Sequence, residues 1–232
     1  MSAPPLFEAE AVSGGYGDIG VVHGVSLKVA PGEVVCIAGR NGVGKSTLLK
    51  LLAGFLDLSG GRIRLHGDRV DARKPHERNR LGIAYAPQEN VAFPTLSVRD
   101  NLTLHFADRS LDRYGPLFEM FPRIAERLDQ KAGTLSGGER KILSFCRAVG
   151  EKRDVTILDE PTEGVQPENI ALMAEAVRRR AVGGAGFIIV EQNLTMIERA
   201  GNQVLLMEHG ECIFETANGA GMREAIVSRL QL

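Results

Sequence analysis

Two carboxylates stand side by side after an apolar run in the segment "VTILDEPT", residues 155–162. Asp159 and Glu160 end a stretch of strand length, where a buried charge is costly unless a positive group meets it. Carboxylates in such a place can hold a divalent cation or act as a general base. The rest of the chain must therefore supply a cation or a bound metal ion.

The segment "GRNGVGKST", residues 39–47, offers that partner. It matches the pattern G-x-x-x-x-G-K-[ST] at Gly39, Gly44, Lys45 and Ser46. In such a loop the backbone N–H groups and a helix N-terminus face phosphate, the lysine reaches the terminal phosphates, and the hydroxyl can bind Mg²⁺. The alternative is a glycine-rich turn before a helix, and the strand and helix patterns on either side favour the phosphate loop.

The two acids then take separate roles. In a phosphate-loop fold a second strand is expected beside the first, ending in an aspartate that holds the Mg²⁺ shell, and we assign this role to Asp159. Glu160 points elsewhere and can deprotonate the water that attacks the γ-phosphate. The alternative is a helix-capping or turn acid before Pro161, which the phosphate loop upstream disfavours.

A third motif, "LSGGER" at residues 135–140, precedes a helical pattern. Ser136 and Glu139 are spaced as a capping box, and the glycines can simply make the turn. Ser136, Gly137 and Gly138 also present a hydroxyl and free N–H groups to an anion. Both interpretations can hold together.

The surrounding pattern predicts one α/β unit with a mainly parallel core sheet. Buried strands are expected at 34–39, 82–87, 155–159 and 186–190, and a helix at 45–55. Alternating segments around "VSLKVAPGE" and "GRIRLHGDRV" predict an antiparallel β subdomain. Residues 91–150 are expected to form a helical subdomain inserted in a core made of 1–90 and 151–232, within one domain spanning 1–232.

The composition limits the class of protein. With 28 Lys and Arg against 29 Asp and Glu, the net charge of -1 disfavours a nucleic-acid partner. Three scattered cysteines fit reduced structural thiols rather than a disulfide or zinc framework. The sequence contains no apolar run of membrane-spanning length, and its start "MSAPPLFEAE" has no secretory pattern. The chain is therefore predicted to be neither exported nor membrane-spanning.

In their order and spacing, the three motifs resemble the Walker A, signature and Walker B motifs of ABC-type ATPases. The resemblance covers nearly the whole chain. It implies a phosphate-loop ABC ATPase fold, ATP and Mg²⁺ as ligands, and a head-to-tail pair of domains with ATP between one Walker A loop and the partner's signature. By the same resemblance, Asn41, Gly42 and Thr47 join the ATP-binding residues of the loop.

Two more positions match the family. Tyr16 in "GGYGDIG" resembles the aromatic residue that stacks on adenine, although a turn tyrosine is the alternative. Gln88 in "YAPQEN" matches the glutamine that senses both Mg²⁺ and the attacking water, which makes it a candidate metal ligand and a candidate catalytic residue.

Two positions depart from the family pattern. Gln192 in "VEQN" stands where many members place a histidine that contacts the γ-phosphate; an amide can donate there but cannot be charged. Gln166 replaces the usual aspartate of the turn after Walker B, which puts in doubt the intersubunit roles of that aspartate. Since Lys45, Ser46, Asp159 and Glu160 are intact, ATP hydrolysis is expected to survive.

The departures resemble one branch, the ATP-binding subunits of importers for branched-chain amino acids, amides and urea. "DEPTEGVQP" is closest to the urea type, so urea is the expected solute, with branched-chain amino acids or short amides as the alternative. The resemblance implies a second ATPase subunit, the same or different, two membrane permeases and an extracytoplasmic solute-binding protein. It also implies a peripheral location on the cytoplasmic side of the cell membrane.

A rival from another class is a soluble ABC ATPase that acts on ribosomes or DNA. Ribosome-acting members usually carry two ATPase units and DNA-repair members carry long coiled coils, whereas this chain has one unit and no heptad run. A regulatory module without turnover is disfavoured by Glu160. The sequence therefore favours the transport role.

Overall fold

The computed structural model describes residues 4–89, 92–219 and 221–230. The predicted core and helical subdomain have ends that lie outside the described residues, at 1–3, 90, 91, 231 and 232. The first three positions of "MSAPPLFEAE" lie outside them as well. The described strands are β1 Phe7–Tyr16, β2 Ile19–Val29, β3 Val34–Ala38, β4 Leu58–Leu65, β5 Asp68–Arg69, β6 Ile83–Ala86, β7 Val155–Asp159, β8 Gly186–Val190, β9 Gln203–Glu208 and β10 Glu211–Ala217.

The helices in the same part of the chain are α1 Lys45–Ala53, α2 Pro75–Leu81, α3 Val98–Thr103, α4 Gly115–Met120, α5 Pro122–Glu126, α6 Gly137–Gly150, α7 Pro167–Val182, α8 Leu194–Ala200 and α9 Met222–Leu230. Two short 3₁₀ turns lie at Asp112–Tyr114 and Ala132–Thr134. None of these helices, within the described residues, has the length and apolarity needed to cross a membrane.

A six-stranded sheet forms the centre of the molecule, in the order β10-β9-β3-β8-β7-β6. All neighbours are parallel except β10, which pairs antiparallel with β9 at the edge. Strands β3, β7 and β8 are buried along their whole length, as expected for a parallel sheet covered on both faces. The predicted fold class is confirmed.

One detail of the predicted sheet is wrong. We expected β7, which carries the paired acids, to lie directly beside β3, but β8 lies between them. Each parallel connection must cross over the sheet, and the hydrophobic pattern of a strand does not specify which strand becomes its neighbour. The pattern also gave no prediction for β9 and β10, which complete one side of the sheet.

The two faces of the central sheet are covered differently. On one face, the leucines of α1 pack in a core shared with the buried side of the antiparallel sheet β2-β1-β4-β5. On the other, residues of α6, α7 and α8 share a core with the helices that follow residue 92, including Tyr114 and Phe121. Alternate residues of β3 enter the two cores, since Val35 and Ile37 face α1 while Cys36 faces the opposite side.

Residues 92–150 are mainly helical, as expected. Within this described segment the only pairing of strand type is an isolated bridge between Ser97 and Lys131. The division of the chain into core and inserted subdomain stays a prediction. The arrangement brings the loop after β3 and the ends of β7 and β8 to one edge of the sheet, where parallel α/β folds bind their ligands.

Candidate functional site

The loop between β3 and α1 has the backbone of a phosphate-binding turn. Gly39 and Gly44 adopt φ values of 155° and 104°, in the region that favours glycine. A Cβ on Gly39 would lie 2.5 Å from the carbonyl oxygen of Met207, so another residue would displace the loop from β9. Gly44 precedes α1 directly, which leaves the N–H groups of the first helical turn open to an anion.

Lys45 is held inside this loop. Its Nζ donates hydrogen bonds to the carbonyl oxygens of Gly39 and Arg40, both at 2.9 Å. Its side chain is 4 % exposed, and Nζ lies 3.8 Å from Oε1 of Glu160. Burial lowers the pKa of Lys45, and the neighbouring carboxylates of Glu160 and Asp159 oppose that shift. The amine is thus positioned between the loop and the acids, where a phosphate group can replace its carbonyl partners.

Ser46 and Asp159 form the second contact between α1 and the end of β7. The Ser46 hydroxyl donates to Oδ1 of Asp159 at 3.1 Å. Asp159 is 3 % exposed, and burial raises its pKa while the bond from Ser46 opposes the shift. Within the described residues no three His, Cys, Asp or Glu side chains gather as a metal cage. One carboxylate and one hydroxyl fit Mg²⁺, which takes few protein ligands and completes its shell with phosphate and water.

Glu160 lies at the centre of a hydrogen-bonded cluster. Its Oε2 accepts from the side-chain amide of Gln88 and its Oε1 from that of Gln192, both at 2.9 Å. The backbone of Glu160 has φ 44°, a left-handed conformation that costs about 1–3 kcal/mol for a residue other than glycine. Its N–H donates to the carbonyl of Val190 at 3.0 Å, so β8 helps to hold this conformation. The carboxylate is oriented and available as a proton acceptor.

Gln88 connects this cluster to the helical part of the chain. Its amide also donates to Glu163 at 3.1 Å, so its hydrogen bonds go to two glutamates rather than to Ser46 or Asp159. The carbonyl oxygen of Gln88 accepts from Nζ of Lys141 in α6 at 2.8 Å. The same amine lies 3.3 Å from the carbonyl oxygen of Glu160.

A cavity of about 740 Å³ opens onto these groups. Most of the predicted loop and catalytic residues line it, namely Asn41, Gly42, Gly44, Lys45, Ser46, Thr47, Gln88, Glu160 and Gln192. The cavity is lined mainly by polar groups and lies at the start of α1. Its size and lining suit a highly charged ligand with a phosphate chain.

Tyr16 lies at the end of β1, beside α1 and apart from that lining. Its ring is half exposed, and its hydroxyl accepts from Nζ of Lys50 at 3.2 Å. Hydrogen bonding to Thr47 and Lys50 lowers the pKa of the Tyr16 phenol. Tyr16 therefore lies next to the helix that carries Lys45 and Ser46.

The Ser136 motif lies at the start of α6, outside the lining of the cavity around Lys45. Ser136 caps α6, with its Oγ accepting from the N–H of Glu139 at 3.2 Å and its own N–H donating to the Glu139 carboxylate at 3.0 Å. The predicted capping box is confirmed. Ser136 and Gly138 line a second cavity of about 690 Å³ together with Gly164 and Gln166, whereas Gly137 opens α6. The structure does not bring Ser136 to Lys45 within one chain.

Comparison with known proteins decides the family. The model of the family described as "ABC transporter" matches residues 22–163, more than half of the chain. The chain belongs to the ABC transporter family. It is accordingly an ATP-binding ATPase whose hydrolysis of ATP is coupled to transport.

Relatives of this ABC protein include both importers and exporters. It is 34% identical over 221 residues to the high-affinity branched-chain amino acid transport ATP-binding protein BraG of Pseudomonas aeruginosa, covering 93% of this chain and 94% of that protein. It is 32% identical over 213 residues to the "Probable branched-chain amino acid transport ATP-binding protein LivF" of Archaeoglobus fulgidus, covering 89% and 90%. It is 35% identical over 223 residues to the Nod factor export ATP-binding protein I of Burkholderia thailandensis, covering 94% and 72%.

The fold of the ABC protein also matches solved structures. A structure described as the ATP-binding subunit of an ABC transporter has a TM-score of 0.84 at 26% identity, covering 98% of this chain and 100% of that chain. The match extends over both sheets and the helical segment.

The two departures from the family pattern have different surroundings. Gln192 contacts the cluster directly, because its amide donates to Asn41 at 2.6 Å as well as to Glu160. Gln166 caps the start of α7, and its side chain makes no capping hydrogen bond within the described residues. Aspartate is a preferred N-cap residue and glutamine is not, which accounts for the missing bond.

Glu191 and Lys141 are among the residues near the site that were not predicted. Glu191 follows β8 and is 2 % exposed, with its carboxylate bonded to Thr162 and to the backbone of residues 192 and 193. It ends an apolar strand just as Asp159 does, and that shared pattern could have identified it. Lys141 lies inside a helical segment, and nothing in its spacing indicated that it contacts Gln88 and Glu160.

Proposed function

We propose that the chain is the ATP-hydrolysing subunit of an ABC importer for branched-chain amino acids. The observation that carries the catalytic part is the Glu160 carboxylate, oriented by Gln88 and Gln192 and lying 3.8 Å from Lys45. The solute is supported by the two named amino-acid transport relatives, whose lengths this chain covers almost completely. Neither of these two relatives is named for urea, the solute favoured by the sequence pattern. Branched-chain amino acids therefore replace urea as the proposed solute.

The proposed reaction is attack of water on the γ-phosphorus of ATP. Glu160 accepts the water proton as the new P–O bond forms, and the bond between the γ-phosphorus and the bridging oxygen breaks to release ADP and phosphate. Lys45 and the N–H groups at the start of α1 bind the negative phosphate oxygens. Gln88 and Gln192 hold the carboxylate in line, and Gln192 offers a neutral donor to the γ-phosphate.

Ser46 and Asp159 are proposed to hold Mg²⁺. When bound, this ion would neutralise negative charge on the phosphates. The direct bond between the two side chains indicates that both oxygens already converge on one point. Tyr16 is proposed to stack on adenine from its place beside Thr47.

The placement of the signature residues fits a dimeric catalytic unit. Ser136 and Gly138 line a cavity next to the one around Lys45 but do not line that one, and we propose that a second ATPase subunit provides the signature motif that reaches the phosphates. The partner can be a second copy or a different subunit. We further propose two membrane permeases, an extracytoplasmic solute-binding protein, and a peripheral location on the cytoplasmic side of the membrane.

The export relatives define the competing function. Their identity to this chain is close to that of the importers, at 35% for the exporter from Burkholderia thailandensis against 34% for BraG. The direction of solute transport therefore has to be measured.

Uptake by the reconstituted transporter tests the proposal. The chain, its permeases, any second ATPase subunit and the solute-binding protein are placed in proteoliposomes with internal ATP, and uptake of labelled leucine, isoleucine, valine and urea is compared. We expect ATP-dependent uptake of the amino acids well above that of urea. Uptake of urea alone would restore the sequence-based choice, and ATP-driven movement of solute only in the opposite direction would establish an exporter.

A further inference from the structure

Glu191 is a fully buried carboxylate that the proposed reaction does not use. It follows β8 directly, is 2 % exposed, and donates its N–H to the carbonyl of Ile37 in β3 at 3.1 Å. Its backbone is therefore tied to the strand that leads into the phosphate loop. Buried glutamates are rare unless they are paired or fully hydrogen-bonded, so its partners matter.

Both oxygens of the carboxylate are satisfied by neutral donors. Oε1 accepts from the N–H and the hydroxyl of Thr162, at 3.0 and 2.7 Å. Oε2 accepts from the N–H groups of Gln192 and Asn193, both at 3.0 Å. Burial raises the pKa of Glu191, while these four hydrogen bonds favour the charged form and oppose the shift.

These four bonds close a ring through the hydrolysis centre. Thr162 lies two residues after Glu160, and Gln192 is the residue next to Glu191. Gln192 in turn donates to Oε1 of Glu160 at 2.9 Å. One carboxylate thus holds both Thr162 and the backbone of Gln192. This fixes the separation between the side chains of Glu160 and Gln192.

We propose that Glu191 is a positioning residue of the ATPase centre, whose carboxylate locks the turn after Glu160 to the loop that carries Gln192. Both of its carboxylate oxygens are taken up by these four hydrogen bonds, so it acts through the residues that donate them. It acts by keeping the Gln192 amide on Glu160 while Glu160 remains in its left-handed backbone conformation. This inference rests on the proposed hydrolysis centre and is independent of the transported solute.

The first test is Glu191→Gln in the assembled transporter. An amide has one acceptor oxygen, so its NH₂ group must face either the Thr162 donors or the N–H groups of residues 192 and 193. We expect kcat to fall about 10- to 100-fold, since small displacements of reacting groups cost this much. The KM for ATP should change less than about twofold, because Lys45 and the phosphate loop are untouched.

A matched control separates positioning from general stability. Glu33 precedes β3 at the opposite end and accepts the N–H of Ala30 at 2.7 Å. Glu33→Gln makes the same chemical change away from the site, and kcat should stay at the parent value. Thr162→Val, which removes only the hydroxyl donor, should give a partial loss, and Thr162→Ser should restore the parent rate.

A double variant tests whether Glu191 acts through Gln192. If it does, Glu191→Gln combined with Gln192→Ala should lose little more activity than the larger single loss, within about threefold. If the fold losses in kcat of the two single variants multiply in the double variant, the proposal is overturned. So would a parent-like kcat in Glu191→Gln, or a loss of activity that matches only a loss of folded protein.

Hydrogen exchange gives a readout that does not depend on turnover. In Glu191→Gln the amides of residues 162, 192 and 193 should exchange faster, while those of β7 and β8 keep their protection. Unchanged exchange at all three amides would show that the carboxylate does not hold the two segments, whatever the ATPase rate. Hydrolysis without amino-acid uptake would overturn the importer assignment and leave the role of Glu191 standing.

Discussion

The side-chain amide of Gln192 donates to the carboxylate of Glu160 at 2.9 Å. Many ABC ATPases place a histidine at this position, where the donor can become charged near neutral pH. Here the donor is an amide, which is neutral at every pH at which the protein is folded. The contact therefore orients Glu160 without adding a proton equilibrium of its own.

Gln192→Ala and Gln192→His test this contact. We expect Gln192→Ala to lose about 10-fold or more in kcat, because Glu160 loses one of its two orienting amides. Gln192→His should keep more activity above pH 7. Below about pH 6.5 the introduced imidazole becomes charged, pairs with Glu160 and lowers the basicity of that carboxylate, so kcat should fall. Profiles of kcat from pH 5.5 to 8.5 check this, and an identical acid limb in the parent would contradict it.

Glu160→Gln tests the general base. The amide keeps the size of the side chain but cannot accept the water proton, so hydrolysis should fall about 100-fold or more with ATP binding retained. Glu163→Gln is the matched control, because Glu163 accepts from the same Gln88 amide but its side chain is 60% exposed. The control should keep most of its turnover. Equal rates for Glu160→Gln and the parent would remove Glu160 from the reaction.

Asp159→Asn tests the proposed Mg²⁺ ligand. Removing the negative charge beside Ser46 should raise the Mg²⁺ concentration for half-maximal hydrolysis about tenfold or more. Asp154→Asn changes the acid just before the same strand, where Asp154 contacts the exposed His66 at 2.9 Å, and should leave the Mg²⁺ dependence unchanged. The measurement is a titration of the ATPase rate with Mg²⁺ in both variants. A shift of the same size in both variants would mean that Asp159 does not bind the ion.

Local pattern predicted a large part of this molecule. The glycines, Lys45 and Ser46 belong to one continuous loop. Predicting that they lie together required only a strand before the loop and a helix after it. The acids at 159 and 160 were predicted to face this loop because a phosphate-loop fold has a second strand that ends in an aspartate near the loop. The direct bond between Ser46 and Asp159 agrees with that expectation.

Contacts set by tertiary packing could not be predicted in the same way. The order of strands depends on crossovers, and β8 was not expected between β3 and β7. Arg78 is 1 % exposed and donates to the carbonyls of Leu51 and Leu52 at the end of α1, although a charged residue on a short helix is normally solvated. Thr162, which donates to Glu191, and Gln88, which accepts from Lys141, are likewise distant in sequence from these partners, and no spacing rule connects them.

Lys141→Met tests the link between α6 and the hydrolysis centre. The Lys141 amine, whose side chain is 14% exposed, donates to the carbonyls of Gln88 and Glu160 and lies 3.5 Å from Glu163. Because α6 begins after Ser136, this amine connects the helix that carries the Ser136 motif to the proposed hydrolysis centre. We expect Lys141→Met to lower kcat about tenfold, as two carbonyl oxygens lose a charged donor, with ATP affinity changed less than about twofold.

Arg140→Met is the control for that link. Arg140 is the neighbouring cation, but its guanidinium donates to the carbonyl of Leu135 within the same segment, at 2.9 Å. Its replacement should reduce kcat much less than that of Lys141, and Lys141→Arg should recover part of the loss. ATPase rates of the assembled transporter, corrected for the folded fraction, provide the measurement. Equal losses in the two methionine variants would show that both cations only stabilise α6, and that the signature helix reaches Glu160 by another route.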